Sequence, residues 1–281
     1  MRLAEGRNRP GKLRRGFLNT WKKIKPNFHP RWFAPRIDAQ LRAKLITRQI
    51  ARIRSDHGSI ALHPDVVMIH VPKAAGTSVF ELLRAEKGMQ KLNDYRALAT
   101  LSKSQGTAIR AVSFGHMDSD SLIRIGLLTR EALEKAYTFG FVRNPYTRIA
   151  SLYTYLLRQR WFPTTWSFDT FIDAVRREEP APGPFNVVGL SQTAPMTRWM
   201  RPTLWSGPTD TFYFEDLTGA VATLKKTLGL KSDLPHLNAA KSRRHAIRAT
   251  EPAVQKVRQM YREDFVAFGY DDKPPPGLFY T

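Results

Sequence analysis

Cysteine is absent from this 281-residue chain, which excludes disulfides and thiolate metal sites. Histidine is sparse, with seven scattered copies. None forms an HExxH motif or a His/carboxylate cluster at ligand spacing, so no catalytic metal is expected. Long apolar runs are missing too: none approaches the roughly 18 residues that would suggest a membrane span. The N-terminus has no short apolar segment with a cleavage site, the mark of a secretory signal. These absences fit a cytoplasmic protein. Acidic residues are few, 24 Asp and Glu against 45 Lys and Arg, for a net charge of +21. That surplus implies an anionic partner: nucleic acid, anionic lipid, acidic polysaccharide or nucleotide. No RRM, KH or zinc-finger signature occurs, so specific nucleic-acid recognition is not expected. What is present suffices for a core, with 42 % hydrophobic residues, 16 Phe and 6 Trp.

The charge is uneven. Residues 1–36 hold eleven Lys/Arg and one acid, Glu5. Four prolines argue against a long helix there. Interleaved aromatics leave two readings, a basic arm lying on the domain or a contact with a membrane surface or acidic glycan. Residues 37–54 carry Ile and Leu at helical spacing. From residue 66 the pattern changes. Residues 66–70 read as a buried strand, and Ser78 with Glu81 reads as a capping box opening a helix that Gly88 closes. Strands follow at 111–114, 137–142 and 211–214. Helices are predicted from Thr129, from Asn144-Pro145, from Ser167, over 217–228 and over 252–268. Alternating strands and helices predict an α/β fold with a parallel sheet covered by helices. The predicted organisation is a basic extension over 1–60, a domain over 61–272 and a tail over 273–281.

Two segments carry chemistry. His70-Val71-Pro72-Lys73-Ala74-Ala75-Gly76-Thr77-Ser78 links a buried strand to a helix. Such a link aims free backbone N–H groups and the positive end of a helix dipole at one point, which suits a phosphate. Gly76 permits close backbone approach, Thr77 and Ser78 add hydroxyls, and Lys73 adds a mobile charge. This is not a Walker A motif, because Lys73 precedes Gly76 rather than following the last glycine. An ordinary strand–turn–helix with a surface lysine is the plainer reading. The second segment runs from Phe139 through Arg143-Asn144-Pro145-Tyr146-Thr147-Arg148 to Ser151. Arg143 ends a strand, where ligands collect in open parallel sheets. Asn144, Arg148, Ser151 and Tyr155 share one helical face. Two guanidiniums and a hydroxyl near a helix N-terminus make a second phosphate site, the alternative being a solvated polar face. Two such sites after two strands suit a nucleotide with phosphates at both ends of its nucleoside.

Segments 67–83 and 138–153 closely resemble the nucleotide-binding segments of PAPS-dependent sulfotransferases, particularly the carbohydrate type. The likeness continues through Phe214-Glu215-Asp216-Leu217, Leu234-Pro235-His236-Leu237-Asn238 and Tyr261-Arg262-Glu263-Asp264-Phe265, and so spans about 66–271. It implies a P-loop-NTPase-like three-layer fold and transfer of a sulfuryl group from PAPS to a carbohydrate or glycoconjugate hydroxyl, leaving PAP, without a metal. Lys73 would neutralise the leaving oxygens. Lys73, Ala74, Ala75, Gly76, Thr77 and Ser78 would hold the 5′-phosphosulfate, and Arg143 and Ser151 the 3′-phosphate. Ala74-Ala75 departs from the family's usual Thr-Gly, and Asn144 from its usual Asp. His116, after the third strand, stands where some relatives use a histidine base, and neutral imidazole accepts a proton near neutral pH. Glu81, Asp118 and His70 are its rivals. The basic stretch 238–248 would lie near the cleft, and Trp199 and Trp205 are candidates either for stacking on sugars or for the core. Competing readings are a P-loop kinase, which needs Mg²⁺ and a Walker A lysine, and a non-enzymatic polyanion binder.

Overall fold

The computed structural model describes residues 61–92, 108–115, 117–160, 162–177, 192–234 and 246–280, together with Arg48. The basic arm, nearly all of the helix expected at 37–54, the loop expected at 178–186 and most of the stretch 238–248 lie outside the described residues.

Five parallel strands form the main sheet: β1 (Val66–Ile69), β2 (Gln90–Lys91), β3 (Ala111–Ser113), β4 (Tyr137–Val142) and β5 (Asp210–Tyr213). Their order is β2-β3-β1-β4-β5. All four β1 residues are buried, as expected of a strand covered on both faces. Helices flank the sheet: α1 (Gly76–Lys87), α2 (Ser119–Arg124), α3 (Arg130–Lys135), α4 (Pro145–Arg158), α5 (Phe168–Arg177), α6 (Thr197–Met200), α7 (Leu217–Leu228), α8 (Glu251–Met260) and α9 (Arg262–Phe268). One core joins the strands to α1, α3 and α7, and a second joins α4, α5 and α8. No helix among the described residues is long and apolar enough to cross a membrane.

Local signals hold where they rest on short-range chemistry. Asn144 caps α4, its side chain accepting from the N–H groups of Tyr146 (3.0 Å) and Thr147 (3.3 Å). Thr129 caps α3, and Ser167 accepts from Thr170 N–H. Three elements differ from expectation. Helix α1 starts at Gly76, before Ser78, so there is no capping box, and Glu81 pairs with Arg84 instead. The helix expected over 252–268 breaks at Tyr261, whose buried hydroxyl donates to Thr193 O at 2.7 Å. Within the segment expected as a tail, β7 (Phe279–Tyr280) pairs with β6 (Ile247–Arg248), and Leu278 is buried.

The topology fixes where a crevice forms. From β1 the chain crosses through α1 to β2 at one edge, whereas β4 leads through α4 towards β5 at the other. Neighbouring strands whose connections diverge leave a crevice at their C-terminal ends. The β1–α1 loop and the β4–α4 loop flank it.

Candidate active site

The β1–α1 loop carries the chain from a buried strand directly into a helix N-terminus. Ala75, the residue before α1, contributes no side-chain cap, so the first N–H groups of the helix are free of that role. Gly76 is buried against His70, and a Cβ added there would lie 2.0 Å from His70 Nε2. This close approach is why the position takes glycine and why His70 is a packing residue. Thr77 is exposed and Ser78 half-buried, on the first turn.

Lys73 and Ala75 both have positive φ, 65° and 67°. Non-glycine residues pay a steric penalty in that region, and such strain clusters at ligand sites. Ala75 occupies a position where glycine would be at ease. Ala75→Gly should therefore stabilise the protein by about 0.5–1 kcal/mol. Relief of roughly 1–2 kcal/mol of left-handed strain would outweigh glycine's larger entropy loss on folding. Urea unfolding checks this, and a less stable variant would show that the conformation is not strained.

Residues of the β4–α4 unit close the site. Arg143 donates from Nη1 to Lys73 O (3.1 Å) and from Nε to Thr147 Oγ1 (2.9 Å), and its guanidinium lies 4.1 Å from the Phe214 ring centroid. Glu215 holds the base of this loop, accepting from Asn144 N–H and from the Tyr270 hydroxyl at 2.9 Å each. Lys73 Nζ lies 4.4 Å from the centre of the Tyr155 ring. Burial, then Arg143 and Arg158, push the Lys73 ammonium down to about 8. Burial and two neighbouring guanidiniums thus make the charged ammonium costly at this point. Ser151, half-buried, precedes Tyr155 by one turn of α4.

Arg148 does something other than expected. It is 1 % exposed, not a phosphate ligand on an open face. Its Nε donates to Pro72 O (3.2 Å), and its Nη2 donates to Gln192 O (2.9 Å) and Ala194 O (2.8 Å). It is a strut that ties the lysine loop to α4 and to the 192–194 segment. Arg158 is the residue that sequence reasoning missed. Its signal was its spacing, seven residues after Ser151 on the same helix face.

Among the base candidates, Asp118 is buried and caps α2, accepting from Ser121 N–H at 2.9 Å. Glu81 is engaged by Arg84. His116 lies outside the described residues. Trp199 and Trp205 are core residues, 0 % and 6 % exposed, which removes them as sugar platforms. Trp205 Nε1 donates to Ser119 Oγ at 2.8 Å.

A family model described as the sulfotransferase family matches residues 57–271. Among solved structures, the chain is similar to a sulfotransferase from Alicyclobacillus acidocaldarius, with 13 % identity, a TM-score of 0.43 and coverage of 74 % of this chain and 96 % of that one. It is also similar to a mouse sulfotransferase complexed with PAP, with 12 % identity, a TM-score of 0.43 and coverage of 66 % and 64 %. No curated protein sequence matches the chain.

Proposed function

The chain belongs to the sulfotransferase family, and we propose that its donor is PAPS, its product PAP and its acceptor a hydroxyl of a carbohydrate or glycoconjugate. The observation that carries this reading is the convergence of an uncapped helix N-terminus with Lys73 and Arg143 at the diverging C-terminal ends of β1 and β4. In this assignment the α1 N–H groups, with Ala74, Ala75, Gly76, Thr77 and Ser78, receive the 5′ end of the donor. Arg143 and Ser151 receive the 3′-phosphate, and Arg158 adds charge beside Lys73.

The reaction is an in-line displacement at sulfur. A bond forms from the acceptor oxygen to sulfur as the bond from sulfur to the bridging oxygen breaks. His116 takes the acceptor proton, and the electron pair goes to the bridging oxygen beside the Lys73 ammonium. By analogy with phosphoryl transfer, positioning and electrostatics carry the rate. No step in this reading calls on a metal. Residues 1–60 form a basic extension to the domain, and the protein acts in the cytoplasm with that extension at a membrane surface or acidic glycan.

Two assays test the proposal. Titration with PAP, with ATP and Mg²⁺, and with an oligonucleotide should give tight binding of PAP alone. Binding of ATP with Mg²⁺ in its place would overturn the reading in favour of a kinase. Transfer of labelled sulfate from PAPS to a panel of saccharides then identifies the acceptor. In that assay His116→Gln should lower kcat about 10²-fold and flatten the acid limb of the pH profile. A full rate from the variant would exclude His116 as base.

A further inference from the structure

The backbone and the charge of Lys73 are held by different groups. Arg143 Nη1 donates to Lys73 O at 3.1 Å, and Arg148 Nε donates to Pro72 O, one residue earlier, at 3.2 Å. Both guanidiniums grip carbonyls, and neither can anchor an ammonium. A flexible stem separates that backbone from Nζ, so fixing the loop does not fix the charge. Among the described residues no carboxylate pairs with Lys73. The charged groups that face it are Arg143, from the β4–α4 loop, and Arg158, from α4, and both are cationic. What meets the ammonium is the ring of Tyr155, whose centre lies 4.4 Å from Nζ.

Sequence and topology bring that ring into place. Parallel pairing of β1 with β4, with Ile69 opposite Gly140, sets the lysine loop beside the start of α4. Along α4, Ser151, Tyr155 and Arg158 share one face. Tyr155 is 37 % exposed and belongs to neither hydrophobic core, so core packing does not account for a ring at this position. The face of an aromatic ring is electron-rich and attracts a cation within about 6 Å of its centre. Unlike a carboxylate, it carries no net charge and takes no proton. A lysine seated on a ring therefore keeps its full charge for an oxygen that becomes negative, whereas a lysine paired to a carboxylate does not.

We propose that Tyr155 is a positioning residue for sulfuryl transfer: the face of its ring seats the Lys73 ammonium, aims it and favours its protonated form. This rests on the reading of Lys73 as the charge beside the bridging oxygen. The seat acts on rate more than on donor affinity, because the charge that it aims is needed where that oxygen becomes negative in the transition state. It also opposes burial, Arg143 and Arg158, all of which push the ammonium's pKa down. Loss of the ring should push it down further.

The test uses the full chain and two variants. Tyr155→Leu keeps an apolar side chain on α4 and removes the ring, and Tyr155→Phe keeps the ring and removes only the hydroxyl. NMR of the lysine side-chain amines, recorded without donor, reads the Lys73 pKa directly. It should fall by about one pH unit in Tyr155→Leu and stay within about 0.2 unit in Tyr155→Phe. In the sulfate-transfer assay Tyr155→Leu should lower kcat about tenfold, with KM for PAPS and PAP affinity changed less than about twofold, and Tyr155→Phe should recover the rate. On a Lys73→Met background Tyr155→Leu should have no further effect, because the ring acts through the lysine. An unaltered Lys73 pKa in Tyr155→Leu would overturn the proposal, as would a kcat as low in Tyr155→Phe as in Tyr155→Leu. So would the same loss on the Lys73→Met background, which would show that Tyr155 acts without the lysine, or a raised KM for PAPS with kcat intact. If the native protein transfers no sulfate from PAPS, the donor reading fails instead, and the NMR titration alone still decides whether the ring seats the lysine.

Discussion

Lys73→Met should lower sulfate transfer about 10³-fold or more while PAP binding survives in part. Removing one donor to a developing oxyanion costs roughly 10²–10³ in rate, and Lys73 brings a full charge in a half-buried loop beside Arg143 and Arg158. The same substitution should not destabilise the fold. Burial and its two cationic neighbours push the Lys73 ammonium down to about 8. For a lysine this means that the charged form costs stability at neutral pH, a cost that fades as pH rises through about 8 and beyond. An uncharged methionine avoids it, so the variant should melt at an equal or higher temperature at pH 7. Charge needed for rate but unfavourable for folding is the trade expected at a preorganised site. A pH profile adds a second check. In the free enzyme the lysine loses its proton near 8, so kcat/KM should fall above that pH. A bound anion restores the ammonium, so the corresponding limb of kcat should move upward. Near-native turnover by a folded Lys73→Met protein would remove Lys73 from the chemistry. Identical alkaline limbs for kcat and kcat/KM would show that no anion binds beside it.

What the sequence disclosed and what it hid divide along physical lines. The apolar run of β1, the Asn144 cap with Pro145 behind it and the Thr129 cap depend on neighbours a few residues away, and all three stand as read. The start of α1 does not. Ser78 and Glu81 satisfy a local capping rule, but the strained Lys73–Ala75 turn winds the helix back to Gly76. That turn is held by Arg143 and Arg148, about seventy residues downstream. The break at Tyr261 has the same origin, because its hydroxyl reaches Thr193. Periodicity placed Arg148 on the face of Asn144 and Ser151. Only the carbonyls of Pro72, Gln192 and Ala194 decide that it points inward. The two strand–turn–helix units that carry the proposed phosphate sites were legible because each is local. Their meeting, and the part played by Arg158, required the β1–β4 pairing.

Arg148→Met should destabilise the protein by about 3–5 kcal/mol, the usual loss when one partner of a buried charged network is removed. The methionine fills most of the volume, so the loss is one of polar contacts. Three backbone carbonyls, of Pro72, Gln192 and Ala194, lose their donor in the interior. Arg148→Lys keeps the charge but not the fork that reaches several acceptors, so it should recover only part of the loss. The buried carboxylate of Asp264 adds a pH dependence. Burial pushes its pKa up, and Arg148 with the Met196 and Thr197 N–H groups pulls it partly back, leaving it raised. An acid with a raised folded pKa contributes stability below its unfolded pKa and loses it as pH rises through the folded value. Without Arg148 that folded value climbs further, so the variant's deficit should be larger at pH 8 than at pH 4.5. Urea unfolding at the two pH values measures it. An equal deficit at both would reduce Arg148 to a clamp on carbonyls with no charge coupling to Asp264. A deficit below about 1 kcal/mol would show that the lysine loop holds its strained shape without the strut.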